Sequence, residues 1–212
     1  MKIDLHVHSR ERSACGQAPE EEQIAEAIAR GLDAIAFTDH HRLVPLSRLR
    51  ALNERYAPFR ISGGVEITTE GEDVLVFGVR DPRLESLDWR YAELHDFVRA
   101  RGGFLVLAHP YRFKDHVQAD LAAHPPDALE WRSNNIASDT EDMIAALGAR
   151  HGIPLVCASD AHHTFAVGRH YINLEGAPAD ERAIFTLIAA GRYSCHHCCP
   201  GKNAADLGAA QL

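Results

Sequence analysis

The sequence predicts an α/β fold on three observations. Short apolar runs of strand length recur along the chain, helix-length amphipathic stretches lie between them, and side chains able to bind metal fall just beyond the C-terminal ends of the runs. The runs are Lys2 to His6, Ala34 to Thr38, Arg60 to Glu66, Val74 to Val79, Gly103 to Leu107, Ala128 to Trp131 and Pro154 to Ala158, most of them too short for helices. The first helix is expected over Pro19 to Arg30: Pro19 suits a first turn, Glu20 to Glu22 suit the positive end, Gly31 suits the stop, and Ile24, Ala27 and Ile28 share a face. Further helical stretches run from Ser86 to Arg101, with Leu87, Tyr91, Leu94 and Val98 at helical spacing, then from Thr140 to His151 and from Ala179 to Ala190. Alternation of this kind builds a parallel sheet wrapped by helices, open or closed into a barrel, and periodicity does not choose between the two.

A chain of 212 residues fits one domain, expected over residues 1–192, followed by a tail over 193–212 rich in Cys, His, Gly and Ala and expected to be irregular. No apolar run is long enough to span a bilayer, and Met1 leads directly into Lys2-Ile3-Asp4-Leu5 without the pattern of a secretory signal, so a cytoplasmic location is expected. In that setting the five cysteines are expected to be reduced. A net charge of -8 offers no basic footprint for long nucleic acid, but does not exclude a small phosphorylated substrate, because bound cations supply positive charge locally.

The polar residues carry the chemistry. His6 and His8, two apart in extended chain, project to one face and can grip one ion. The second run delivers Asp39-His40-His41, the third ends in Gly64-Val65-Glu66, whose carboxylate could bridge two cations, the fifth leads to His109 and the last to Asp160 and His162. In parallel α/β architectures ligands bind beyond the carboxyl ends of strands, whereas independent accidents would scatter such residues to both ends. The metal ligands are therefore read as His6, His8, His40, Glu66, His109, Asp160 and His162, holding two or three divalent ions; a donor set rich in imidazole suits Zn, Mn or Fe. Clustered ions sharing a carboxylate favour hydrolysis by activated water. No Gly-x-Ser-x-Gly elbow, phosphate-binding glycine loop or dinucleotide fingerprint is present to support another chemistry.

Asp4-Leu5-His6-Val7-His8-Ser9, Gly31 to His40, Gly64-Val65-Glu66, Ala108-His109-Pro110 and Ser159-Asp160-Ala161-His162, in this order, resemble the motifs of the polymerase and histidinol phosphatase (PHP) family of metal-dependent phosphoesterases. The resemblance implies a distorted seven-stranded (βα)7 TIM-like barrel in a single domain. It also implies one ion on the His-x-His pair and the late Asp, another on Glu66 and the middle histidines, and a third on His40 and His162. Where many members carry an early Asp or His for the third ion, this chain reads Arg10 to Gly16, so Glu11 or Cys15 could substitute; where many carry a His after the bridging Glu, Asp73 is the local candidate. Arg112 and Arg169 are candidate phosphate holders, since a guanidinium forks onto phosphate oxygens. His41 is a candidate proton donor to the leaving group, and Asp39 a candidate for orienting a metal-bound histidine. Asn134 and Asn135 follow a strand and could touch substrate or simply make a turn.

The expected function is hydrolysis of a small phosphorylated substrate, a phosphomonoester or nucleotide. The alternative is a noncatalytic metal-binding or interaction module on the same fold. Hydrolysis of C–N bonds on a related barrel usually needs a carboxylated lysine, and the three lysines, Lys2, Lys114 and Lys202, do not follow an internal strand. The run Cys195-His196-His197-Cys198-Cys199 contains soft ligands enough for a structural zinc, although adjacent residues do not readily face one tetrahedral ion.

Overall fold

The computed structural model of the chain describes residues 1–197. In chain order its elements are β1 (Lys2–Val7), α1 (Glu20–Ala29), β2 (Ala34–Phe37), α2 (Leu46–Tyr56), β3 (Arg60–Gly63), β4 (Val65–Thr68), β5 (Asp73–Phe77), α3 (Tyr91–Arg99), β6 (Phe104–Ala108), β7 (Ala128–Arg132), α4 (Glu141–His151), β8 (Leu155–Cys157), β9 (His170–Leu174), α5 (Glu181–Ala189) and β10 (Tyr193–His197). They form two five-stranded sheets, ordered β10-β9-β1-β2-β3 and β4-β5-β6-β7-β8. Among the described residues no helix is long and apolar enough to cross a membrane.

The expected closed seven-stranded barrel is not what forms: the sheets are separate and mixed. Pairs β1·β2, β2·β3, β6·β7 and β7·β8 are parallel, whereas β1·β9, β9·β10, β4·β5 and β5·β6 are antiparallel. The division falls inside the run expected as one strand over Arg60 to Glu66. At Gly64 the chain leaves β3 beside β2 and begins β4 beside β5, and a Cβ on Gly64 would lie 2.6 Å from the carbonyl oxygen of Val76, so only glycine lets the backbones come this close. The next connection, residues 69–72, has length for a hairpin and not for the crossover of a dozen or more residues that a parallel pair requires.

Alternation along the strands sets the layers. Ile3, Leu5, Ala34 and Ala36 of one sheet share an apolar cluster with Leu75, Phe77, Val106 and Val156 of the other, joined by Ile184, Phe185 and Ile188 of α5. The intervening residues face outward: Ile35 and Phe37, with Val7 beyond the irregularity in β1, pack with Ile24 of α1 and Leu52 of α2, while Val74, Val76, Leu105 and Leu107 pack with Leu94 of α3 and Ile144 of α4. Strands covered on both faces are apolar at most positions, which is why these runs are legible without a regular polar alternation. Two isolated parallel bridges, Val7 with Ala161 and His40 with Glu66, bring the sheets together at the ends where β1, β2 and β8 run out.

Candidate metal centre

Those two bridges deliver ligands from both sheets to one place. His6, His8, Glu66, His109 and Asp160 are all buried, none more than 4% exposed, and their donor atoms converge. The Nε2 atoms of His6 and His8 stand 3.0 Å apart. Glu66 Oε2 lies 3.2 Å from the first and 3.1 Å from the second, Asp160 Oδ1 lies 3.3 and 3.1 Å from them, and His109 Nε2 lies 3.1 Å from Glu66 Oε1. His40 reaches Glu66 Oε2 at 3.3 Å from a partly exposed position. Backbone strain accompanies this convergence: His109 and Asp160 adopt φ of 30° and 49°, a region that non-glycine residues rarely occupy without compensating contacts.

Hydrogen bonds assign the ring protons. Oε1 of Glu130 accepts from His6 Nδ1 at 2.9 Å, which leaves a lone pair on Nε2 facing the other donors. The backbone carbonyl of Asp160 accepts from His162 Nδ1 at 3.0 Å and leaves Nε2 of that ring free in the same way. Glu130, fully buried on β7, also accepts from the His109 N–H at 2.9 Å, and Asn135 donates to Asp160 Oδ2 at 2.6 Å. Neither contact was anticipated from sequence. A carboxylate within the otherwise apolar run Ala128 to Trp131 is the signal that marks Glu130.

Charge in this pocket is strongly biased. Burial alone would push His6 down, but Asp160, Glu66 and Glu130 outweigh it and hold the ring well above its ordinary value. His8 is carried up to about 9 against its own burial by hydrogen bonds to Asp160 and Glu66. Burial would raise Glu66 and Asp160, yet the neighbouring His6 and His8 hold both carboxyls below their usual range. Two buried carboxylates thus demand positive charge, which protonated His6 and His8 supply and which a bound cation would supply in their place, taking the Nε2 lone pairs as the rings give up their protons. That donor set fits divalent cations. Three groups of donor atoms, each with all its members within 4.8 Å of one another, define where ions would be held: His6, His8 and Glu66; His6, His109 and Asp160; His40, Glu66 and Asp73.

The remaining expected residues divide. Cys15 joins His8 and His162 in a further group of donors, and Asp73 stands beside His40 and Glu66. Glu11 is used elsewhere, accepting from the Glu20 N–H at the start of α1 at 3.0 Å. His41 has both nitrogens engaged: Nδ1 donates to the Ser86 carbonyl at 2.9 Å and Nε2 accepts from the Thr68 N–H at 3.2 Å, a tether and not a free proton donor. Asp39 accepts from the Ser9 N–H at 2.6 Å and Arg12 Nε at 2.7 Å, so it ties the loop after β1 to β2, and Glu130 is the carboxylate that orients a histidine. A cavity of about 660 Å³ opens beside Asp160 and His162 and is lined by Arg112, Arg169, Asn134, Asn135 and Cys15. Arg112 donates to Asp160 Oδ2 at 3.2 Å, and the Asn134 amide is spent on the carbonyls of Ser159 and Ala166. In the run from Cys195, the first three residues belong to β10, whereas Cys198 and Cys199 lie outside the described residues.

A two-sheet α/β fold carrying a buried histidine–carboxylate centre is the architecture of a metal-dependent hydrolase. The chain belongs to the PHP domain family: residues 4–123 match its PHP domain profile and residues 139–193 its PHP-associated profile. Among solved structures it is similar to PsfC from Pseudomonas syringae, at 20% identity and a TM-score of 0.69 over 93% of this chain and 91% of that one. It is also similar to a provisionally named metal-dependent phosphoesterase from Bifidobacterium adolescentis, at 14% identity and a TM-score of 0.63 over 87% and 94% of the two chains. A lesion-specific endonuclease from Pyrococcus furiosus is similar at 18% identity and a TM-score of 0.64 over 92% of this chain and 57% of that one. At these identities the likeness is one of fold. Among curated proteins no relative matches the chain.

Proposed function

We propose that the protein hydrolyses the phosphoester of a small phosphorylated substrate, a phosphomonoester or nucleotide, at a centre of two or three zinc, manganese or iron ions. The observation that carries this reading is the cavity of about 660 Å³ beside Asp160 and His162, flanked by Arg112 and Arg169. Its two arginines suit a compact anion, and a net charge of -8 disfavours a long polyanion. His6, His8, His40, Glu66, His109, Asp160 and His162 would hold the ions, which when bound supply Lewis acidity and a lowered water pKa. The chain's own part is to place the substrate. Arg112, anchored on Asp160, and Arg169, which also lines the cavity, offer guanidinium forks to phosphate oxygens, while Asn135 and Glu130 keep Asp160 and His6 in orientation.

Phosphate release from a panel of phosphomonoesters and nucleotides, with protein loaded with manganese or zinc, tests the proposal. Turnover is expected, and Asp160→Asn and His109→Ala are each expected to lose more than the roughly 100-fold that outer-shell changes cost. Folded, metal-loaded protein silent across the whole panel would overturn the reading in favour of a noncatalytic metal-binding module.

A further inference from the structure

The metal centre gathers its residues beyond the C-terminal ends of the strands, whereas a second group of donors lies at the opposite end, ahead of β7. His95 and Asp96 of α3 and His124 of the connection into β7 each bring a donor atom, and the three atoms lie within 4.8 Å of one another. His95 is buried, and its ring meets that of His124 edge-on with centroids 5.2 Å apart. The fold fixes where His124 stands: its N–H donates to the Asp120 carbonyl at 2.9 Å, and its own carbonyl accepts from the Tyr91 hydroxyl at 2.8 Å.

Two observations beyond proximity point to a cation. The Pro125 carbonyl accepts from His95 Nε2 at 3.2 Å, which turns the Nδ1 lone pair toward Asp96 Oδ1, 3.1 Å away. Two acceptors then face each other. In addition, His124 Nδ1 is buried and has no hydrogen-bond partner among the described residues, a costly state for a polar atom. Arg99 stands at the other nitrogen of His95, 3.5 Å from Nε2, and donates to Asp127 Oδ1 at 2.6 Å and to the Pro125 carbonyl at 3.2 Å, so its charge is spent on partners other than Asp96.

We infer that His95, Asp96 and His124 hold a zinc ion of their own, apart from the hydrolytic centre. Two imidazoles and one carboxylate, with a fourth position for water, match the ligand types and number of three-ligand zinc sites. Nitrogen in the majority favours zinc over magnesium or calcium. The Pro125 carbonyl holds the His95 ring as Glu130 holds that of His6, with one nitrogen donating and the other turned to the ion. The ion's task is to brace. It joins α3 to the far end of the connection that leaves β6 at His109, carries Arg112 and enters β7, and so fixes the base of the segment that brings Arg112 to its cavity.

Zinc loading of the full chain, dialysis and elemental analysis test this. His124→Gln and Asp96→Asn are each expected to retain one zinc equivalent fewer than the parent. Asp96 is exposed, so its variant decides the matter should His124→Gln fold poorly. Amide hydrogen exchange read by mass spectrometry supplies a second measurement: zinc is expected to slow exchange across residues 119–127 and α3 in the parent and not in Asp96→Asn. Asp160→Asn, which strikes the hydrolytic centre, is expected to keep that protection. Parent-like zinc content in either folded variant, or exchange over residues 119–127 indifferent to zinc, would overturn the inference and leave the proposed function standing.

Discussion

Glu130 has each of its oxygens committed, one to the His6 ring and one to the His109 backbone, both at 2.9 Å. The first bond fixes the tautomer that presents Nε2 to the centre, and the second holds a residue whose backbone sits at the unfavourable φ of 30°. Glu130→Gln keeps the size but offers one acceptor where two donors wait. Zinc or manganese affinity is expected to fall about 10- to 100-fold in direct titration, with the far-ultraviolet circular dichroism unchanged. Parent-like affinity would show that His6 does not depend on this carboxylate. At this scale the residues that converge on the candidate centre were legible because histidine and carboxylate recur past the ends of apolar runs. Glu130 was not, since it lies within a run, and whether a buried strand carboxylate is a bridge, a cap or an orienting group depends on a partner more than a hundred residues away in sequence.

At the level of elements, apolar runs and helix stop signals placed most strands and helices within a few residues. They failed where the chain changes partner. β3 and β4 are contiguous in sequence and belong to different sheets, and the junction turns on Gly64. A Cβ at that position would meet the Val76 carbonyl at 2.6 Å and the Phe77 ring at 2.7 Å, whereas at Gly63 the nearest atom is the flexible end of Arg80 at 3.0 Å. Gly64→Ala is therefore expected to destabilise by about 1–3 kcal/mol and Gly63→Ala by clearly less, read from denaturant midpoints. Equal midpoints for the two variants would refute close backbone approach as the reason for glycine at 64. The helix α2 escaped notice because its apolar face is thin, with only Leu49 and Leu52 buried, and Asn53 does much of its anchoring by bonding the backbone of Ile61 through both its amide groups. β10 escaped because its alternation is short and weak, with only Tyr193 and Cys195 packed on the apolar cluster; pairing with β9 makes it a strand.

Across the whole molecule, His170 is a pH-sensitive group outside the metal centre. His170, at the start of β9, is buried, its ring lies tilted 4.4 Å from that of His197 of β10, and it faces Arg132 of β7 and Arg169. Burial first, and then these positive neighbours, push its pKa from 6.5 down to about 4. Above 6.5 the ring is neutral folded and unfolded and the shift contributes nothing; as the pH falls through that value the unfolded chain takes the proton first and is favoured, and the loss is complete once the folded form also protonates near 4. His170→Asn is expected to flatten the decline in denaturant midpoint between neutral pH and pH about 4. An unchanged slope would place the acid sensitivity elsewhere.

By itself the sequence determined the α/β class, the family, and the residue types available for metal chemistry, because these depend on local periodicity and on which side chains terminate each run. Tertiary structure decided that the strands form two mixed sheets instead of a closed barrel, since pairing depends on connection length and on backbone approach at Gly64, neither of which a pattern of apolar residues encodes. It also decided which of the candidates meet. His41, Asp39 and Glu11 proved to be tethers, while Glu130, Asn135 and Cys15 came to the centre, because a side chain's role follows from the hydrogen-bond partners that distant segments bring to it.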